Sequence, residues 1–471
     1  MHSLRPQAIR LGQILTFATL VGACGVAAAD AERLEADLRA LFGEGGTLSL
    51  GEVSSGMLRS RVTAEDIVFE AEEGERLLIE RYIVSGDYDA PDEVTLEGIR
   101  IEDSLTELAL VNIERLVLGE PSRAVFPLHE GLAPEEVNVG SLAIDGIVLE
   151  LASELAEELL FDTPLQSGEG RMTIEQVRGE SLTHDAIGML EITGVDGVAE
   201  NLDEFGSGSF TLGSLRLDEL TGIDTEGEEK LASLVLRDFV VEGRDLVGSL
   251  AMLEVDGDFD DGKGGVRLEE LQVDLARMIE LAPEEERTQM RMASNVLTNG
   301  SGELRLDAAF LGNWKDKGDH SVLVSDIQVD IVDALRLAFD ISLPVQLPQG
   351  VSAAEAFADT EWLEVATLLG GDMYLSLSDQ GLFARLATLG AATEGITEAE
   401  FVERARTQAQ GLGMMLGPEA QAVLLGLVKL LEGTAERVEV RGTLPAESSV
   451  ASYKSDPLGA AGKLNIKVET H

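Results

Sequence analysis

The chain of 471 residues holds a single cysteine, Cys24, and only two Trp and four Tyr. One cysteine excludes an internal disulfide and paired-thiol chemistry. So few aromatic rings argue against the stacking platforms that bind sugars or single-stranded nucleic acid. Basic residues are scarce as well: 35 Lys and Arg stand against 87 Asp and Glu, a formal net charge of −52. Such a surface repels nucleic acid and anionic membranes, both of which are recognised by clustered Lys and Arg. The acids are spread along the whole chain, which fits solvation in a saline medium better than a calcium-receiving surface. Apolar residues make up 44%, ordinary for a globular chain, so the acidity does not imply disorder.

Catalytic constellations are missing too. Outside the first 29 residues the histidines are His129, His184, His320 and His471, and none has a partner at His-Glu-x-x-His spacing. No Gly-x-Ser-x-Gly elbow, P-loop or dinucleotide fingerprint occurs; Gly206-Ser-Gly208-Ser reads as a turn-rich polar stretch. The stretch from Asp256 to Gly262 begins like a calcium loop. It carries Asp261 at the sixth position, where glycine is needed, and Arg267 at the twelfth, where Glu is needed. It reads as an acidic hairpin turn, and the Asn299-Gly300-Ser301 sequon reads as a turn as well. The expectation is a non-enzymatic protein with no catalytic, cofactor-binding or metal-binding residues.

What is present begins with an export signal. Arg5 and Arg10 precede an uncharged, largely apolar run from Leu11 to Ala29 that ends in Ala27-Ala28-Ala29. That order of positive charge, apolar core and small residues marks a secretory signal peptide over 1–29. Its removal leaves 33 basic against 87 acidic side chains, a balance of −54, and no cysteine. A second reading makes Leu20-Val21-Gly22-Ala23-Cys24 a lipobox, with Cys24 as the lipid-attachment residue. No other stretch reaches the roughly 18 apolar residues of a membrane span. The expected location is therefore periplasmic or secreted, or the outer membrane as a lipoprotein through Cys24, with no transmembrane span in the mature chain.

After a predicted amphipathic helix at 30–45, carrying Leu34, Leu38 and Leu41 on one side, a strand unit recurs. It runs apolar, any, apolar, two polar or small residues, apolar, any, apolar. Copies begin at Val94, Leu142, Leu234, Val266 and Val322, with a partial copy from Leu215 to Leu220. Alternation with period two marks a half-buried strand, and the doubled polar pair switches parity midway, as a bulge or strand corner does. Each copy is therefore expected to bend while keeping its apolar side on one core. Turn signals fall at Gly74, Gly86-Asp87, Gly119, Gly206–Gly208, Asp261-Gly262 and Asn299-Gly300. Residues 46–345 read as one elongated, bent antiparallel β region, a trough or a sandwich, interrupted by helices at Ser153–Phe161 and Ala276–Thr298.

Residues 346–471 read as an α+β domain, so the fold class is mainly β with an α+β C-terminal domain. A helix is predicted over Val351–Leu369 and a strand over Met373–Leu377. Thr397 and Glu400 form a capping-box pattern opening a helix to about Leu412, Pro418 opens another, and strands at Arg437–Arg441 and Lys463–Val468 close the chain. The run from Leu377 through Asp379, Gly381 and Leu382 to Arg385, followed by Gly395-Ile-Thr-Glu-Ala-Glu400, resembles a D-x-G-L-x-x-R pattern of uncharacterised exported proteobacterial proteins. The β-rich part resembles AsmA-like envelope proteins in style. These resemblances imply an extracytoplasmic setting and β-plus-α architecture, and no activity. Asp379, Gly381 and Arg385 have a structural explanation in a tight turn with an Arg able to pair with the Asp.

Two functions are expected from this reading. One is an envelope protein binding a lipid or other hydrophobic ligand in a β groove. The other is a structural or interaction scaffold whose partner is another envelope protein. No nucleic-acid partner and no cofactor are expected.

Overall fold

A computed structural model describes residues 28–471 apart from 43–45, 57–59, 72–73, 126–137, 153–168, 203–205, 226–228, 244–246, 258–261, 359–360 and 456–461. The chain forms two compact units, Met1–Asp245 and Leu246–His471. Both are mostly antiparallel β, with helices concentrated toward the C-terminus.

The first unit opens with α1 (Ala28–Phe42). Leu34, Leu38, Leu41 and Phe42 recur at helical spacing and are 0–5% exposed. An isolated helix of this length is marginal in water, so burial of that stripe stabilises it, by about 1.5–3 kcal/mol per side chain. Eleven strands follow: β1 (Gly46–Ser49), β2 (Val53–Ser55), β3 (Arg61–Ala71), β4 (Glu75–Asp87), β5 (Ala90–Asp103), β6 (Ala109–Pro121), β7 (Asn138–Glu150), β8 (Glu169–Thr183), β9 (Ala186–Leu202), β10 (Gly206–Thr221) and β11 (Lys230–Glu242). From β3 onward each strand pairs antiparallel with the next. β1 and β2 both pair with β3, end to end along its outer edge, where α1 covers them.

A line of bends crosses nine of these strands. At one place in each pair the cross-strand partnering is interrupted, and the facing residues run Asp66, Glu80, Gly98, Glu114, Gly146, Glu175, Gly194, Gly213, Asp238 from β3 to β11. On alternate strands the residue is left-handed: Asp66, Gly98, Gly146, Gly194 and Asp238 have φ between 50° and 67°. A second line lies six residues further along β6, β8 and β10, at Glu120, Ser181 and Glu219, again left-handed and facing Gly140 and Gly188. A left-handed residue reverses the in–out alternation of a strand, so the two polar positions between apolar neighbours return the next apolar residue to the same face. The expected parity switch is thus present in the copies at Val94, Leu142 and Leu234, and Glu219 supplies it in the partial copy.

The second unit contains β12 (Val247–Asp256), β13 (Lys263–Asp274), α2 (Leu275–Leu281), α3 (Glu284–Thr298), β14 (Glu303–Asp316), β15 (Ser321–Ile331), β16 (Leu335–Gln346), α4 (Ala353–Ala358), α5 (Glu361–Val365), β17 (Thr367–Asp379), α6 (Leu382–Glu394), α7 (Glu398–Leu416), α8 (Pro418–Leu431), β18 (Arg437–Ser448), α9 (Val450–Lys454) and β19 (Lys467–Thr470). Successive strands again pair antiparallel. At Glu269 and Glu270 two residues of β13 face Asp307 of β14, and the Asp307 carboxylate accepts the Glu270 N–H at 2.7 Å, so the copy at Val266 carries a true bulge. Helices α6 and α8 cover one face of the last strands, where Leu430, Phe383 and Leu427 pack on Leu375, Leu377, Val438 and Val440, and α7 packs on those two helices.

Several sequence expectations are corrected. The copy at Val322 does not bend: β15 stays in unbroken register with β16, so Val324 and Ile327 lie on opposite faces. Gly119 and Gly206–Gly208 belong to strands rather than turns. They need the small residue for close approach, since a Cβ on Gly119 would sit 2.2 Å from Ser141 Oγ and one on Gly208 2.6 Å from the Glu242 carbonyl. The helix expected over Ala276–Thr298 is two, separated at Ala282-Pro283, because Pro283 cannot continue the first. Val351–Leu369 is likewise not one helix: α4 and α5 are short, and Thr367 already begins β17. The capping box at Thr397 and Glu400 is formed, but α7 continues to Leu416. The last strand begins at Lys467 rather than Lys463, and β18 extends to Ser448. The helix expected at Ser153–Phe161 lies outside the described residues.

Candidate functional site

The bend lines organise one face of the first unit. Read across β3 to β11, four rows of side chains share that face. The row next to the first line is Ile67, Ile79, Ile99, Ile113, Ile147, Ile174, Val195, Leu212 and Phe239. On the other side of the line runs Ala64, Tyr82, Leu96, Leu116, Ile144, Val177, Ile192, Leu215 and Leu236. Beyond these lie the rows from Val62 to Leu234 and from Phe69 to Val241, with glycine at only two places, Gly179 and Gly197. Such cross-strand apolar pairs are the unit of sheet stability, each worth about 0.2–1 kcal/mol over Ala pairs.

On the opposite face the row beside the bend line reads Glu65, Arg81, Glu97, Arg115, Asp145 and Gln176, acid and base alternating across five strands, while the rows outside it are mixed and include Leu78, Ile83 and Val117. Arg81 pairs with Glu97, and Asp145 accepts from Gln176 at 3.0 Å and Arg178 at 3.4 Å. A further pair lies on the same side at the strand ends, where Glu102, almost wholly buried, is held between Arg76 Nε at 2.6 Å and Arg100 Nε at 2.7 Å.

Burial along the apolar face is graded. Near α1 the face is a closed core: Val62, Ala64, Ile67, Val84 and Val94 are 0–4% exposed and pack with Leu34, Leu38 and Phe42. Tyr82 Oη there donates to the Ala124 carbonyl at 2.7 Å, and Tyr88 Oη to Asp37 Oδ2 at 2.8 Å; burial raises both phenol pKa values. A smaller core around Val111, Leu149, Met172 and Val195 follows. On β10 and β11 the same rows continue through Phe210, Leu212, Leu215, Leu217, Leu234, Leu236, Phe239 and Val241, all only half-buried. Eight large apolar side chains in partial contact with water are costly to leave so, at about 25 cal/mol per Å².

The residues singled out from sequence do not converge on a reactive site. Cys24 and His129 lie outside the described residues. His184 is exposed, and His320 bonds its neighbour Asp319 at 2.7 Å. His471 approaches Glu439 and Glu469 at 4.0 Å, a cluster that sequence reading missed because its members are joined only by β18–β19 pairing. Arg441 already neutralises Glu439 at 2.8 Å, with Arg437 at 3.4 Å. Residues 258–261 of the calcium-like stretch lie outside the described residues, and Lys263 Nζ stands 3.5 Å from Asp256. Asp379 Oδ1 accepts from the N–H groups of Gly381 and Phe383, and Gly381 is left-handed, as a tight turn requires. Arg385 does not pair with Asp379: its Nε donates to the Val296 carbonyl at 2.7 Å and another guanidinium nitrogen to the Asp333 carbonyl, tying α6 to α3 and to the β15–β16 turn. Among the described residues no helix is long and apolar enough to cross a membrane. No family model matches the chain, and no curated protein is similar to it in sequence.

Proposed function

We propose that the chain is a non-enzymatic protein of the cell envelope that holds a lipid or another hydrophobic molecule against the apolar face of β9 to β11. The observation that carries this reading is the half-burial of the four apolar rows where they reach β10 and β11, after the same rows have formed a closed core near α1. An acyl chain laid across those strands would remove that surface from water at about 0.8 kcal/mol per buried methylene. A charge-alternating row runs along the middle of the opposite face. The signal-like first 29 residues support an extracytoplasmic setting, with release after Ala29 or lipid attachment at Cys24. The strand style agrees with a resemblance to AsmA-like envelope proteins. The test is native mass spectrometry of the chain purified from its own envelope: lipid-sized adducts are expected, and a clean apo mass would oppose the reading.

A second reading, a scaffold whose ligand is another envelope protein, is favoured by one observation. The β5–β6 turn presents Leu105, 90% exposed, beside Leu108, and an exposed apolar turn suits a protein contact. Copurification of a stoichiometric protein with a lipid-free chain would select it.

A further inference from the structure

The second unit carries a cleft of about 420 Å³ on the sheet face opposite α6 to α8, lined by residues of β15 to β19 and by Asn465. Its size is that of a small-ligand site. One row of directly facing residues crosses it, running Asp326, Asp340, Tyr374, Arg441, Lys467 over five strands. The row therefore places two acids opposite each other at one end and two bases opposite each other at the other. Like charges directly across a strand pair destabilise a sheet. The two pairs cannot relieve one another, because Asp340 and Arg441 are two strand spacings apart, about 10 Å.

The acidic end keeps its charge, while at the basic end one of the two bases is partly offset by the adjacent row. Gln328 donates to Asp326, but among the described residues neither Asp340 nor Asp372, which lines the cleft from β17, has a cationic partner. Burial and Asp326 raise the Asp340 pKa. At the basic end Arg441 stacks over the Tyr374 ring at 5.4 Å and is shared with Glu439 and Glu469 of the adjacent row. Lys467 has no ion-pair partner among the described residues.

We propose that this cleft binds a small zwitterion, with an ammonium group toward Asp340 and Asp372 and an oxyanion toward Lys467 and Arg441. Asp372 and Arg441 are diagonal neighbours on adjacent strands, a separation of about 7–8 Å, so the ligand's two charges are separated by a short chain rather than by one or two atoms. Ser342, Thr443 and Asn465 supply neutral hydrogen-bonding groups between the charged ends. This site is independent of the apolar face of the first unit.

The test is isothermal titration of the full chain with 6-aminohexanoate, and with hexylamine and hexanoate as single-charge controls. The expected result is saturable binding of 6-aminohexanoate that weakens about tenfold or more in Lys467→Gln and in Asp372→Asn, since a hydrogen bond to a charged group contributes about 1.5–3 kcal/mol. Both residues are exposed, so both variants are expected to keep the circular dichroism of the parent. Hexylamine and hexanoate are each expected to bind about tenfold more weakly as well. Absence of saturation at millimolar concentration overturns the proposal. So does hexylamine binding as tightly as the zwitterion, because a chain this acidic attracts any amine, and so does binding that neither variant weakens.

Discussion

The Glu114 side chain lies in the space that a side chain on Gly146 would take: a Cβ at Gly146 would stand 2.5 Å from Glu114 Cγ. Glu80 stands against Gly98 and Glu175 against Gly194 in the same way. From β4 to β9 the bend line is therefore built from a carboxylate on one strand folded over a left-handed glycine on the next. Gly146→Ala is expected to destabilise the first unit by about 1–3 kcal/mol, combining the left-handed penalty with the clash. Truncating Glu114 to Ala in the same chain is expected to recover only part of that loss, because φ at residue 146 stays positive. Urea denaturation of the three variants checks this.

Where the left-handed position is not glycine the sign reverses. Glu219 adopts φ 52° without glycine's freedom. Glu219→Gly is expected to be neutral or mildly stabilising, within about 1 kcal/mol, as relief of the left-handed penalty offsets the added chain entropy. A loss as large as that of Gly146→Ala would show that the Glu219 side chain has a role of its own.

Leu38 on α1 has no exposed surface. Leu38→Ala is expected to cost about 2–5 kcal/mol and to lower the unfolding midpoint of the first unit. The same substitution at Leu215 is expected to cost distinctly less, since that side chain is half-buried. Comparing the two measures the burial gradient along the apolar face directly.

Asp340 gives the pH dependence a definite sign. Burial and the facing Asp326 raise its folded pKa above the unfolded value, so the folded state binds more protons and stability falls as pH rises through that window. Asp340→Asn is expected to raise the thermal midpoint at neutral pH, with the advantage closing as pH falls below the carboxylate range. Glu400 has the opposite sign. The Thr397 N–H and hydroxyl hold its pKa down, so its stabilisation is present above the unfolded pKa and disappears as pH falls through the lower folded value. Thr397→Ala, which removes the cap, is expected to cost about 1 kcal/mol at neutral pH. Melting curves over a pH series check both.

Much of this architecture is legible in the strand unit. The copies at Val94 and Leu142 stand out because Glu-Gly and Asp-Gly separate strong apolar pairs. The same unit is present from Val111 as Asn-Ile-Glu-Arg-Leu, from Leu77, where the apolar Leu78 and Ile83 hide the alternation, and from Val62, Met172, Leu190 and Phe210, where alanine, glycine or a polar–glycine spacer weakens it. The line across nine strands became visible only once pairing set those spacers opposite one another. The unit from Val322 misled because Ser325-Asp326 looks like a spacer, whereas Val324 is an apolar residue on the polar face. Thr367-Leu-Leu reads equally as the end of a helix, because short apolar runs do not distinguish helix from strand. The charged row from Asp326 to Lys467 joins residues up to 141 positions apart, and no local pattern announces it.

The central claim is that a hydrophobic molecule rests on the apolar rows at β10 and β11. Leu215 and Arg216 are adjacent in the chain and point to opposite faces of β10. A photoreactive phenylalanine analogue placed at one or the other in its own envelope, followed by mass spectrometry for lipid adducts, separates the faces. Cross-linked lipid at position 215 and none at 216 is the expected result; equal labelling at both, or none at 215, contradicts it.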